Sequence, residues 1–216
     1  MVKNNKAYFV DKDVSSEIVR RKNSATQERV NLIASHMYKQ HKEHHEATSN
    51  TTQMFYRILN DMTEVTDYLR QSFSARGVEP SKIFCEIDAD RSVGIINILW
   101  HSISFTTRGN TKPQALYRED ESPLFTGRIL ALNGDFQDAS LDIQDQEYPD
   151  ILRCEIASLY VPADTTSPAI LKIKHIGNKE FHLNQIDASK EFLLKVIEII
   201  CGGGIYHENE PDLEDE

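Results

Sequence analysis

Apolar residues recur at helical spacing through the first part of the chain. Val19, Thr26, Val30, Ile33 and Met37 form one stripe, and the basic and acidic residues lie mostly off it. This spacing predicts an amphipathic helix over residues 14–46.

A second apolar stripe follows the polar segment ATSNTT (47–52), and it consists of Phe55, Ile58, Met62, Val65 and Leu69. Glycine at position 77 and proline at position 80 suit the end of this second helix. Ser, Asn and Thr in the polar segment are N-cap residues. The pattern therefore predicts an antiparallel helical hairpin over residues 14–77, with one long interrupted helix as the alternative.

From Ser81 the apolar residues alternate with polar ones or form short β-branched and aromatic runs, which is typical of strands. Polar connections separate these runs, and none of the connections has a convincing helical pattern, so the sheet is expected to be mainly antiparallel. The five predicted strands are residues 82–88, 93–107, 124–132, 151–161 and 169–176.

The last ordered element is predicted to be a helix that begins after Asp187 and ends at Gly202–Gly204. The fold class is thus α+β, with a helical hairpin followed by a sheet of about five strands packed against a C-terminal helix. The expected division of the chain is an arm (1–13), the hairpin (14–77), the sheet with its helix (81–204) and a disordered acidic tail (205–216).

The net charge of −10 is unevenly distributed. Residues 1–80 have 12 Lys and Arg against 10 Asp and Glu, whereas residues 81–216 have 12 against 24. An acidic balance repels nucleic acid phosphates, so nucleic acid binding is not expected, although the RRK at 20–22 is a local basic patch. No apolar run is long enough to cross a membrane and the N-terminus lacks a signal-peptide pattern, so a cytoplasmic location is expected.

Four of the eight histidines lie within HMYKQHKEHHEA (36–47). At about 100° per residue, His41 and His44 lie within about 40° of Met37 and extend the first stripe. His41 and His45 have the spacing that could share a metal ion, but no third ligand accompanies them, so neither a metal nor a cofactor is predicted. The histidines are interpreted as contacts at a helix end or with a partner, and a pH-sensitive contact is the alternative.

Motifs of catalytic sites are absent from the sequence: it has no GxSxG, no GxGxxG and no P-loop. Cys85, Cys154 and Cys201 are isolated from each other, which indicates neither a zinc ribbon nor a disulfide framework. A small hydrolase or nucleotide-handling enzyme remains an alternative, with a site assembled in space from His101, His175 or His182 and nearby carboxylates.

The sequence favours a non-catalytic adaptor, chaperone or assembly subunit. In scale and acidity the chain loosely resembles the small acidic chaperones of bacterial secretion systems, in which helices flank an antiparallel sheet; the chain is longer than expected of that class and has none of its motifs, so this is a fold-level analogy only. The expected partner is another protein, with a basic one complementing the acidic half, or a second copy of the chain. The residues predicted to bind it are Phe55, Ile58, Met62, Val65, Leu69, His41, His44 and Trp100.

Overall fold

The computed structural model describes residues 12–107, 114–116, 124–136, 154–174 and 179–202. Over these residues the chain is α+β, as predicted, with a long N-terminal helix, an antiparallel sheet and a C-terminal helix. Two compact units are present, Met1–Lys42 and Glu43–Glu216. Helix α1, Lys12–Ser74, begins in the first unit and ends in the second.

The predicted helical hairpin is wrong, because α1 runs without interruption through the ATSNTT segment. The hydroxyls of Thr48, Thr51 and Thr52 donate to the carbonyl oxygens four residues earlier, at 2.9, 2.6 and 3.0 Å. These hydroxyls therefore bond back to the carbonyls of a continuing helix. The prediction placed the start of a new helix here, with Ser49, Asn50 and Thr51 as its N-cap candidates.

Close packing on the sheet explains why this polar segment stays helical. A Cβ built on Gly127 would lie 2.8 Å from the Cβ of Thr51, so only glycine lets the helix approach this strand. Asn50 donates from Nδ2 to the carbonyl oxygens of Pro162 and Ala163, at 3.1 and 2.8 Å. These tertiary contacts override the local preference of Ser, Thr and Asn for helix ends.

The sheet is antiparallel throughout and contains more strands than the five predicted. Among the described residues the strands are β1 Ile83–Ile87, β2 Val93–Ile98, β3 His101–Thr106, β4 Gln114–Leu116, β5 Leu124–Asn133, β6 Glu155–Pro162, β7 Ala169–Ile173 and β8 Lys179–Leu183. Seven of them lie in the order β1-β2-β3-β5-β6-β7-β8, and the short β4 pairs with one end of β5.

Two of the additional strands come from specific departures from the prediction. The segment 93–107 was predicted as one strand, but it folds back at Leu99 and Trp100 into β2 and β3. Leu99 has φ of 58°, in the left-handed region that turns require and that leucine rarely adopts. Strand β8 forms in a segment for which no strand was predicted, and it pairs with β7.

The C-terminal helix α2 spans Ala188–Cys201, in agreement with the prediction. Phe192 is buried and its ring meets that of Phe105 of β3 edge to face, with centroids 5.8 Å apart. Ser189 donates a 2.6 Å hydrogen bond to the Asp61 carboxylate of α1, so the two helices are also joined to each other. The core lies between these helices and one face of the sheet. Residues 1–11 of the predicted arm and the predicted tail at 205–216 lie outside the described part of the chain.

Candidate functional site

The second apolar stripe of α1, which was expected to bind a partner, forms the core of the protein. Phe55, Ile58, Met62 and Val65 are at most 5% exposed and pack in one cluster with sheet residues, and Leu69 packs against that cluster. Four of these side chains are thus buried in the core of the second unit, and Leu69 is half-buried against it.

The first unit has the opposite character, because its large apolar side chains are exposed. From Arg20 to Lys42, every side chain that the structure describes is exposed except Gln40, which is half-buried. Large side chains more than half exposed to solvent are found at five positions: Val30 (54%), Leu32 (71%), Ile33 (58%), Met37 (62%) and Tyr38 (71%). Residues 20–42 are called the exposed segment below. Clustered apolar exposure of this kind marks interaction surfaces in soluble proteins.

The exposed segment carries a narrow apolar seam. Thr26, Val30, Ile33 and Met37 are separated by four, three and four residues, which is the a/d spacing of a coiled coil. At about 100° per residue, Val30 and Ile33 lie within about 40° of Met37, so the large side chains of the seam form one strip along the helix. A strip this narrow is typical of helix-to-helix packing, whereas a helix that lies on a sheet buries a wider face.

The exposed segment has a net charge opposite to that of residues 43–216. Residues 20–42 contain six Lys and Arg and one acid, Glu28, which is a net charge of +5. Residues 43–216 contain 15 Lys and Arg against 30 Asp and Glu, which is a net charge of −15. The apolar seam is therefore set in a basic helix, although the chain as a whole is acidic.

The histidine cluster does not form a metal centre within the described residues. No group of three or more His, Cys, Asp or Glu side chains able to hold a metal ion occurs there. His36, His41 and His45 are exposed, and His44 is half-buried. His41 is thus accessible to a partner, in the first unit, and His44 is partly accessible, in the second.

Trp100, the only tryptophan, is 82% exposed at the turn between β2 and β3. Its ring meets that of His101 with centroids 5.6 Å apart and the planes tilted by 47°. An exposed tryptophan is compatible with the predicted role of a partner contact, and Trp100 belongs to the second unit.

Two of the histidines suggested for an enzyme site, His101 and His182, lie on different strands and are not brought together. His101 begins β3, whereas His182 lies in β8, and the strands β5, β6 and β7 lie between them. Four steps of strand spacing separate the two by about 19 Å. The Nε2 atom of His182 lies 3.6 Å from a Glu180 oxygen. His175 lies outside the described residues.

A cleft of about 350 Å³ lies beside the turn between β1 and β2, lined by Glu86, Ile87, Asp88, Val93 and Ile95. The Asp88 carboxylate accepts hydrogen bonds of 2.8 Å from the backbone N–H groups of Ser92 and Val93 and from the Ser92 hydroxyl. Asp88 thus stabilises the turn, which is a common role of aspartate side chains.

A buried ion pair joins β5 and β6, and nothing in the sequence pattern pointed to it. Arg128 donates to Glu155 and, from Nε, to the Ser158 hydroxyl at 2.8 Å, and Ser158 donates to Glu155 at 2.6 Å. Burial raises the pKa of Glu155, but the Ser158 hydrogen bond and the charges of Arg128 and Lys174 lower it more, so the net pKa lies below its ordinary value. The arrangement links two neighbouring strands through side-chain hydrogen bonds, which indicates a structural role.

No family model, no curated protein and no solved structure matches the chain. Among the helices of the described residues, none is both long and apolar enough to cross a membrane.

Proposed function

We propose that the protein is a non-catalytic adaptor, chaperone or assembly subunit that binds another protein through the exposed segment of α1. The observation that carries this proposal is the solvent exposure of Val30, Ile33 and Met37, which are 54%, 58% and 62% exposed along one seam. Complete burial of such side chains contributes about 1.5–3 kcal/mol each, so a partner that covers the seam gains roughly half of that at each position.

The organisation of the chain supports the same function. The second unit has its own core, in which α1 and α2 pack against the sheet, and it needs no contribution from the exposed segment. Most helical stability in proteins comes from packing of an apolar face, so we expect the segment to be stabilised by continuing a helix whose later turns pack in the core. Binding of an amphipathic helix by a partner's helix or groove is a common recognition mode.

The test is purification of the tagged full chain from its native host, followed by quantitative mass spectrometry, for three matched chains. One is the wild type. The second carries Ile33→Asp and Met37→Asp on the seam, and the third carries Asn31→Asp and Ser35→Asp on the other side of the same helix. Both variants add two negative charges at exposed positions, so the two are matched in charge.

We expect one protein to be recovered in fixed proportion with the wild type and with the Asn31/Ser35 variant. Its recovery with the Ile33/Met37 variant should fall at least about tenfold, which corresponds to a loss of about 1.4 kcal/mol in binding free energy. Equal recovery of every associated protein with all three chains would reject the exposed segment as the binding element.

A further inference from the structure

We infer that the occupant of the seam is an acidic helix of another protein, which pairs with residues 26–37 as a short two-stranded coiled coil. The inference rests on the proposed function, because it names the chemistry of the partner at the same surface. Three features of the exposed segment support it: the width of the seam, the charge of its flanks and the poor match of the segment to a copy of itself.

The narrow width of the seam indicates that its binding partner is a helix and not a flat surface. On the face of the helix that carries the seam, the large apolar side chains of the segment are Val30, Ile33 and Met37, which are spaced by three and four residues. A helix that lies in a lipid interface or on a sheet needs a broader apolar face than one row of alternating positions. A second helix is matched to such a row, since its own side chains fit between those of the seam.

The flanks of the seam set the charge of the partner helix. The positions e and g that flank the a/d pattern are, in order, Arg20, Lys22, Gln27, Arg29, Ala34, His36 and His41. Not one of them is acidic, and the single acid of the segment, Glu28, lies about 180° from Met37 at the back of the helix. Ion pairs along this seam therefore require Asp or Glu on the partner.

A second copy of the chain is a poor occupant for the same reason. In a parallel pair of identical segments, Arg29 would face Ala34 and His36 would face His41 of the other copy. Between two copies of residues 26–37, no pairing of e and g positions gives an ion pair, because none of these positions is acidic. The net charge of +5 on each segment adds repulsion, which disfavours self-pairing and favours a partner of opposite charge.

The experiment uses the full chain and two synthetic heptad peptides as probes. Both peptides have Ile at a and Leu at d; one has Glu at every e and g position, and the other has Lys there. Binding is measured by titration of each labelled peptide at low and at physiological salt. The acidic peptide is expected to bind at least about tenfold more tightly than the basic one, with an affinity that falls as salt rises.

Variants assign this binding to the seam. Ile33→Asp with Met37→Asp should lose at least about tenfold in affinity for the acidic peptide, whereas Asn31→Asp with Ser35→Asp should lose much less. Arg29→Glu should lower the affinity for the acidic peptide and raise the affinity for the basic one. A general loss of structure does not produce this reversal. All five positions are exposed, so the far-ultraviolet circular dichroism of each variant should match that of the wild type.

Four results would overturn the inference. The first two are equal affinity for the two peptides and self-association of the wild type that Ile33→Asp abolishes. The third is binding to anionic vesicles that is equally strong and depends on the seam. The fourth is a gain of more than about tenfold in peptide affinity when the chain ends at Gly204, which would identify the acidic residues 205–216 as the occupant. A different result would reject the proposed function itself: no protein whose co-purification is reduced by the substitutions at Ile33 and Met37. If that dependence holds but the acidic peptide does not bind preferentially, only the inference is lost.

Discussion

Thr51 of α1 lies against the backbone of Gly127 in β5, so close that a Cβ on the glycine would meet the Thr51 Cβ at 2.8 Å and overlap its hydroxyl. This contact fixes the point where the long helix crosses the sheet, together with the Asn50 hydrogen bonds to Pro162 and Ala163. From Ala47 onward one face of the helix is buried, whereas the exposed segment has no comparable burial among the residues described.

Gly127→Ala should destabilise the protein by about 1–3 kcal/mol, because the added methyl group overpacks a buried helix-to-sheet contact. The measurement is the free energy of unfolding in denaturant. Adding Thr51→Ala removes the hydroxyl that the new methyl group meets first, so the double variant should recover part of the loss. Additive effects of the two substitutions would show that Gly127 and Thr51 are not in contact.

Ser49→Pro should destabilise the protein by about 3 kcal/mol, because proline inside a helix removes a backbone hydrogen bond and clashes with the preceding turn. Ser49 is exposed, so Ser49→Ala at the same site should be neutral or slightly stabilising. Thermal unfolding of the two variants measures the difference. Equal stability of the proline and alanine variants would contradict the continuous helix and support the predicted hairpin, because proline is tolerated in a turn.

Glu155→Gln should lower the stability by about 2 kcal/mol near neutral pH, because it weakens a buried hydrogen-bonded ion pair with Arg128. The pKa of Glu155 is lower in the folded chain than its ordinary value of 4.5, so the carboxylate stabilises the fold above 4.5 and this contribution is lost as the pH falls through the folded pKa. The stability difference between wild type and variant should therefore shrink on acidification below 4.5.

The control for this prediction is Glu180→Gln. Glu180 pairs with Lys172 at 3.1 Å, but both side chains are more than 40% exposed, so its loss should cost less than about 1 kcal/mol. A Glu155→Gln effect as small as that of Glu180→Gln, or one that grows on acidification, would contradict the role assigned to the buried pair.

The sequence predicted the elements whose pattern is set locally, and it missed those that depend on tertiary contacts. The helical stripes, the alternation in the sheet and the helix after Asp187 are all visible in the hydrophobic pattern, and the structure contains them. The turn at Leu99 and Trp100 was missed because it contains no Gly, Asn, Asp or Pro, and Leu99 adopts a positive φ instead. The continuous helix was missed because its polar residues are held by contacts with β5 and β6 that the sequence does not show.

The candidate site was predicted only in part, for a related reason. Two apolar stripes of similar composition occur in α1, and periodicity alone does not indicate which one the sheet will cover. The stripe with Phe55 and Ile58 became core, and the stripe with Val30, Ile33 and Met37 stayed exposed. The difference in charge was the available signal, since the exposed stripe lies in a segment with six basic residues and one acid.

Amide hydrogen exchange along α1 of the protein alone should show two regimes. Amides of residues 51–69 should be the most protected in the helix, because their side chains contribute to the core, whereas amides of residues 24–42 should exchange with little protection. Mass spectrometry of peptic fragments resolves the two regions. Equal protection along the whole helix would show that the exposed segment is already covered in the isolated protein.

The most direct measurement is the same exchange experiment on the protein purified together with its bound partner. Binding along the seam should raise the protection of residues 24–42 by at least about tenfold, which is about 1.4 kcal/mol of stabilisation, and should leave the amides of β1 and β2 that line the cleft unchanged. Protection that appears around Glu86–Ile95 while residues 24–42 exchange as fast as in the protein alone would contradict the account.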